Sequence, residues 1–211
     1  MIKLSLKGLA KFMTSGPAAQ RKILRDFKYP DPEGHAQAMY YREARDFIVA
    51  HHKSGHGAAW LHAQAGSLAG LAKLSAGQTR VRLAHNARAL AQYADSFAEK
   101  KWKLLDPVRF QLMFGSVRVS VSPDLHVAEK SKERLVKLEF SEDDPDPKVI
   151  AILSQAIFQA AQASNVPVSA SGVLVLDVPR GEAHKGARMG SRLAQDLEAA
   201  CDTIEAVWGR I

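Results

Sequence analysis

Apolar residues change their spacing about halfway along the chain. In the first half they recur at helical intervals. Leu4, Leu6, Leu9, Phe12 and Met13 predict a short amphipathic helix that Gly16 ends. Pro17 opens a second helix, which runs to about Lys28 on a stripe of Ile23, Leu24 and Phe27. The breaker-rich stretch from Tyr29 to Gly34 predicts a turn. A helix then spans about His35 to His52, with Met39, Tyr40, Ala44, Phe47 and Ile48 on its buried side. Gly55 and Gly57 interrupt the pattern. Trp60, Leu61, Ala65, Leu68, Leu71 and Leu74 mark the next helix. Val81, Leu83, Ala87, Leu90, Tyr93, Ala94 and Phe97 mark a longer one, roughly Thr79 to Trp102.

Beyond Asp106-Pro107 the period becomes two, which is the strand signal. Val108, Phe110, Leu112 and Phe114 alternate with Arg109, Gln111 and Met113. Val117, Val119 and Val121 alternate with Arg118 and Ser120, across a turn at Gly115-Ser116. Leu125 to Val127 and Leu135 to Phe140 predict two more strands, joined by a polar connection from Glu129 to Glu133. An acidic, proline-rich loop from Ser141 leads to a helix over Pro147 to Ala163, with Ile150, Leu153, Ile157 and Ala161 as its stripe. The run from Val168 to Val178 is nearly continuous in apolar residues around Val173 to Leu176, as in a strand covered on both faces. A polar loop, Pro179 to Gly186, precedes a closing helix over Arg188 to Trp208. The strand–helix–strand order is the usual mark of a parallel crossover. The fold class is therefore α/β (α+β): a helical N-terminal layer, then a small mixed β-sheet with a crossover helix and a closing C-terminal helix. Residues 1–106 form the helical region packing on the core and 107–211 the α/β core, within what is readily one single domain.

Composition narrows the setting. Apolar residues at 46% and charged residues at 24% exclude wholesale disorder. No stretch approaches the roughly 18 apolar residues of a membrane helix. Lys3, Lys7 and Lys11 break up any leader-type run. The single cysteine, Cys201, has no internal disulfide partner. These features point to a soluble, cytoplasmic protein with no membrane partner, and they leave the oligomeric state open. The net charge of +7 is unevenly placed. Seven basic residues stand against Asp26 in Met1 to Pro30, and eight stand against Asp95, Glu99 and Asp106 in Arg80 to Arg118. Such clusters suit phosphate backbones. Solvated helix faces account for them as well, because no aromatic residues interleave with them along the sequence.

Candidate chemistry falls in the strand region. Pro123-Asp124 stands at or just after a strand, and Glu139 follows fifteen residues later on the next strand. Gln155 and Gln159 share one face of the crossover helix. Two carboxylates on neighbouring strands can converge on a hard cation, which would orient water and offset charge on a phosphate. The plain readings are that Asp124 caps a turn, that Glu139 pairs with Lys137 or with a neighbouring strand, and that Gln155 faces solvent. The arrangement resembles the PD-(D/E)XK nuclease superfamily, with its restriction-endonuclease-like core, and within it the RecB-like branch. The resemblance covers roughly Val108 to Trp208. It implies a metal-dependent nuclease-like hydrolase that acts on or binds nucleic acid. Asp124 and Glu139 would hold Mg²⁺ or Mn²⁺, Gln155 would complete the set, and Glu43 would be an extra acid on a leading helix. Where the family carries lysine this chain has Ser141, which supplies no fixed charge. Lys137, on the same strand face, is the substitute. That departure makes a catalytically inactive nucleic-acid-binding or protein-interaction module of the same fold the alternative.

Other motifs are weaker. His51, His52, His56 and His62 cluster without the Glu of a His-Glu-x-x-His site, and they read as surface residues. Trp60, Trp102 and Trp208 read as packing anchors. No Gly-x-Ser-x-Gly elbow or Gly-rich phosphate loop occurs.

Overall fold

A computed structural model describes residues 1–30, 39–187 and 191–211. The turn expected up to Gly34, the helix start at His35 and the first residues of the closing helix at Arg188 lie outside the described residues. In chain order the elements are β1 (Ile2–Ser5), α1 (Leu6–Thr14), α2 (Pro17–Lys28), α3 (Arg42–Ser54), α4 (Ala58–Leu74) and α5 (Gly77–Phe97). Then come β2 (Trp102–Leu104), β3 (Phe110–Phe114), β4 (Val117–Val121), β5 (Leu125–Glu129) and β6 (Lys132–Glu139). Helix α6 (Pro147–Ala163), a 3-10 turn (Ala170–Gly172), β7 (Val173–Asp177), β8 (Glu182–Lys185) and α7 (Ser191–Trp208) complete the α+β chain.

The strands form two mixed sheets where the hydrophobic pattern predicts one. The first has the order β1-β4-β3, and the second β2-β5-β6-β7-β8. They part between β4 and β5, where Pro123 has no N–H to continue a ladder. In the larger sheet β5 and β6 pair antiparallel, and β6 and β7 pair parallel across the crossover helix α6. The polar connection between β5 and β6 is tighter than the spacing suggests. Glu129 already pairs with Lys132, and Lys130 turns the chain with a φ of 56°.

Three strands escape the apolar pattern. Ile2 and Leu4 are buried and alternate with exposed Lys3 and Ser5, so the chain begins as a strand parallel to β4. The Ser5 hydroxyl accepts the Gly8 N–H at 3.1 Å and switches the backbone to helix. Helix α5 stops at Phe97, so Trp102 lies in β2 rather than in a helix. The polar stretch after Pro179 contains β8, which zips antiparallel onto β7.

Each face of the five-stranded sheet carries its own core. Leu135, Val173 and Val175 point to one face, into a cluster with Leu9 of α1, Leu153 and Ile157 of α6, Cys201 of α7 and the three-stranded sheet. Val136, Leu138, Leu174 and Leu176 point to the other, against α3, α4 and α5 through Ile48, Leu61, Leu90 and Tyr93. Alternation along β6 and β7 sends neighbouring side chains to opposite cores. Each fully buried Leu or Ile contributes about 1.5–3 kcal/mol relative to exposure.

Candidate functional site

A cleft opens beside the carboxyl end of β6, and a smaller one lies beside the carboxyl end of β7. Their positions follow from topology, because parallel strands joined by a crossover present their carboxyl ends side by side. Register places Glu139 beside Asp177, and both are buried. Asp124 stands just before β5, and its N–H donates to the Val136 carbonyl at 2.8 Å. Leu125 and Val127 belong to the helical-layer core. Asp124 therefore points to the opposite face of the sheet, the one that carries Lys137 and Glu139.

Asp124 is the centre of an ion-pair network. Lys137 Nζ lies 2.9 Å from Oδ2, and Arg45 Nε of α3 lies 2.7 Å from Oδ1. The Arg45 contact is an ion pair by distance but lacks the alignment of a hydrogen bond. The Leu138 N–H donates to Oδ2 at 2.8 Å. The carboxylate thus combines the local capping role with a double ion pair. Glu139 does not pair with Lys137. Its Oε1 receives Lys7 Nζ of α1 at 2.6 Å and the N–H groups of Phe140 and Ser141 at 3.1 and 3.3 Å. Lys7 therefore supplies an ammonium where Ser141 supplies none. Asp177 accepts from Arg180 Nη1 at 3.1 Å.

The cleft has a volume of about 480 Å³. Lys7, Arg45, Lys137 and Glu139 line it together with Tyr40, Tyr41, His85 and Phe140. Tyr41 lies parallel to Phe140, with centroids 4.7 Å apart at 11°. Burial, followed by the charge of Glu142, raises the Tyr41 pKa and keeps its hydroxyl protonated. A smaller cleft of about 190 Å³ adjoins it through Lys7, Glu139 and Ser141, and Asp177 and His184 reach into this second space.

Glu43 stands in the first turn of α3 and is ion-paired to Arg82 of α5. It does not line the cleft. Gln155 is buried in α6 rather than solvent-facing, and its Oε1 has no hydrogen-bond partner. It too is absent from the cleft wall. Of the histidines read as surface residues, His51 and His52 are buried, because α3 turns them toward Ala98, Tyr93 and Trp102. His56 and His62 are exposed. Trp102 is a core residue, and Trp60 and Trp208 pack against opposite core clusters.

Sequence reasoning missed Lys7, Arg45, Tyr40, Tyr41 and Asp177. Only Asp177 carries a local signal, as an acid ending an apolar strand beside the Glu139 strand. The aromatic residues absent from the basic runs along the sequence are supplied to the cleft by folding.

A divalent cation fits this arrangement poorly. Mg²⁺ takes one or two carboxylates and several waters in near-octahedral geometry. Both Asp124 oxygens already face cations, and Oδ2 also holds an N–H. Among the described residues no group of three or more His, Cys, Asp or Glu side chains is placed to hold a metal ion. We derive no catalytic step through such an ion. Compared with protein-family models and with curated proteins, the chain finds no match in either.

Proposed function

We propose that the protein binds the phosphodiester backbone of nucleic acid in the cleft beside the carboxyl end of β6, as a divergent, non-cutting counterpart of the PD-(D/E)XK nucleases it resembles. The observation that carries this reading is the state of Asp124. The acid that a nuclease would give to its metal is held by Arg45 and Lys137. Those two cations and Lys7 line the cleft against Glu139 and Glu142. Lys7 balances Glu139 and Arg88 balances Glu142, whereas Arg45 and Lys137 share the single charge of Asp124, which leaves one excess positive charge that a phosphate can neutralise. Ser141 carries no charge, and the ammonium nearby, Lys7, is committed to Glu139, which agrees with binding without hydrolysis.

The test is fluorescence anisotropy with a labelled oligonucleotide, read between about 50 and 200 mM salt. Affinity should fall with salt, with a log–log slope of about −2 for three phosphate contacts. Lys7→Gln should weaken binding several-fold and reduce the slope by about 1. Binding that ignores salt, or no binding at all, overturns the proposal. Incubation with Mg²⁺ or Mn²⁺ should leave the oligonucleotide intact. Cleavage that Asp124→Asn abolishes would overturn the non-cutting half and restore the acids to a metal-binding role.

A further inference from the structure

We infer that the cleft selects single-stranded over double-stranded nucleic acid, by stacking unpaired bases on an aromatic wall. This rests on the phosphodiester reading above and adds the substrate class. The wall is built from three separate segments. Tyr40 and Tyr41 precede α3, Phe140 follows β6, and His85 projects from α5, and all four line the same cavity. Phe140 is buried and forms the base of the wall, with Tyr41 laid flat on it. Tyr40 stands edge-on to Tyr41, with centroids 5.1 Å apart at 65°. Its hydroxyl and His85 Nδ1 lie 3.1 Å apart, which fixes its orientation. The Arg45 guanidinium sits over the Phe140 ring, 5.7 Å from the centroid. Tyr40 and Tyr41 remain partly exposed, so ring surface is available to a ligand.

Lys7, Arg45 and Lys137 border these rings. Cations that hold phosphates beside rings that take bases are the two components of a single-strand site. In a duplex each base face is covered by the next base pair and cannot reach a protein ring. A cleft of about 480 Å³ accommodates a splayed nucleotide. Tyrosine and phenylalanine buried only for packing would need no cations at their edge and no opening to solvent.

The experiment compares a single-stranded oligonucleotide with its own duplex, using 2-aminopurine in the strand as a stacking reporter. The single strand should bind at least about tenfold more tightly, and its fluorescence should be quenched on binding. Tyr41→Leu and Tyr40→Leu should each weaken single-strand binding by about tenfold, and Tyr41→Phe should bind as the parent does. Circular dichroism checks that each variant is folded, and Tyr40→Leu serves where Tyr41→Leu is not. Equal, salt-sensitive binding of both forms, unchanged in the leucine variants, overturns this inference and leaves backbone binding standing. Absence of salt-sensitive binding by either form overturns both.

Discussion

His52 shows how far one side chain depends on its surroundings. It is buried against Trp102, and its Nε2 lies 2.7 Å from the Tyr93 hydroxyl. Burial, with the neighbouring His51 adding to it, pushes the His52 pKa down from 6.5 to about 4. Burial also lowers that of His51. Both imidazoles are therefore neutral in the folded protein at neutral pH. The unfolded chain binds protons more readily, so the sign is fixed. The contribution is fully present above about pH 6.5 and is lost as pH falls toward 4. One pKa unit corresponds to about 1.4 kcal/mol, so His52 alone costs about 3 kcal/mol of stability by the acid end of that window. Thermal unfolding at pH 7 and pH 5 should show a marked fall in Tm for the parent. His52→Gln, which cannot take the proton, should show a much smaller one. Equal falls in the two proteins would remove His52 as the source.

At the scale of elements the acidic loop between β6 and α6 has the largest influence on the cleft. Asp146 is fixed by its local role, accepting the Lys148 N–H at 2.8 Å to cap α6. Glu142, Asp143 and Asp144 are exposed and border the two clefts. Arg88 holds Glu142 at 2.7 Å and Arg180 holds Asp144 at 2.8 Å. Their negative charge, beside the proposed binding cleft at Glu142 and the adjoining one at Asp143 and Asp144, repels a phosphate backbone. Neutralising them as Glu142→Gln, Asp143→Asn and Asp144→Asn should tighten oligonucleotide binding several-fold at low salt. The advantage should shrink as salt screens the loop, because the Debye length falls to about 8 Å at physiological ionic strength. Anisotropy titrations at two salt concentrations check this, and identical affinities would place the loop off the binding path. The same scale explains what could be read from the sequence. The strands β3 to β7 and helix α6 have enough residues for their period to declare itself. Strand β1 has only Ile2 and Leu4 to bury, and these run on into the helical spacing of Leu6 and Leu9. Strand β8, Glu-Ala-His-Lys, is an edge with no apolar face to detect. Asp124 and Glu139 are legible because the first directly precedes β5 after a proline and the second ends the eight-residue β6. Lys7 meets Glu139 across 132 positions of sequence, and nothing local announces such a contact.

For the molecule as a whole, the consequence of the five-stranded sheet is that neither core can be lost alone. Neighbouring residues of β7, Val175 and Leu176, belong to opposite clusters. Strands β1 and β2 come from before Asp106-Pro107, yet each pairs with a strand that comes after it. The ion pairs at the cleft repeat the pattern, since Arg45 reaches Asp124 from the helical layer and Lys7 reaches Glu139 from α1. Unfolding either layer would strip β6 and β7 of one covered face and expose apolar surface on strands buried on both sides. That coupling should make unfolding a single cooperative transition. The tryptophans allow a direct reading, because Trp102 belongs to the helical-layer core and Trp208 packs against the other. Two variants, one keeping only Trp102 and one only Trp208, should show the same urea midpoint by fluorescence, matched by circular dichroism once each variant's own stability is taken into account. A lower midpoint for Trp102 fluorescence than for circular dichroism in the same variant would mean that the helical layer melts first. It would then carry Arg45, Tyr40 and Tyr41 away from the cleft while Glu139 stayed in place. A single midpoint instead means that the cations and rings are lost together, as expected of a site assembled from α1, α3 and β6 within one cooperative unit.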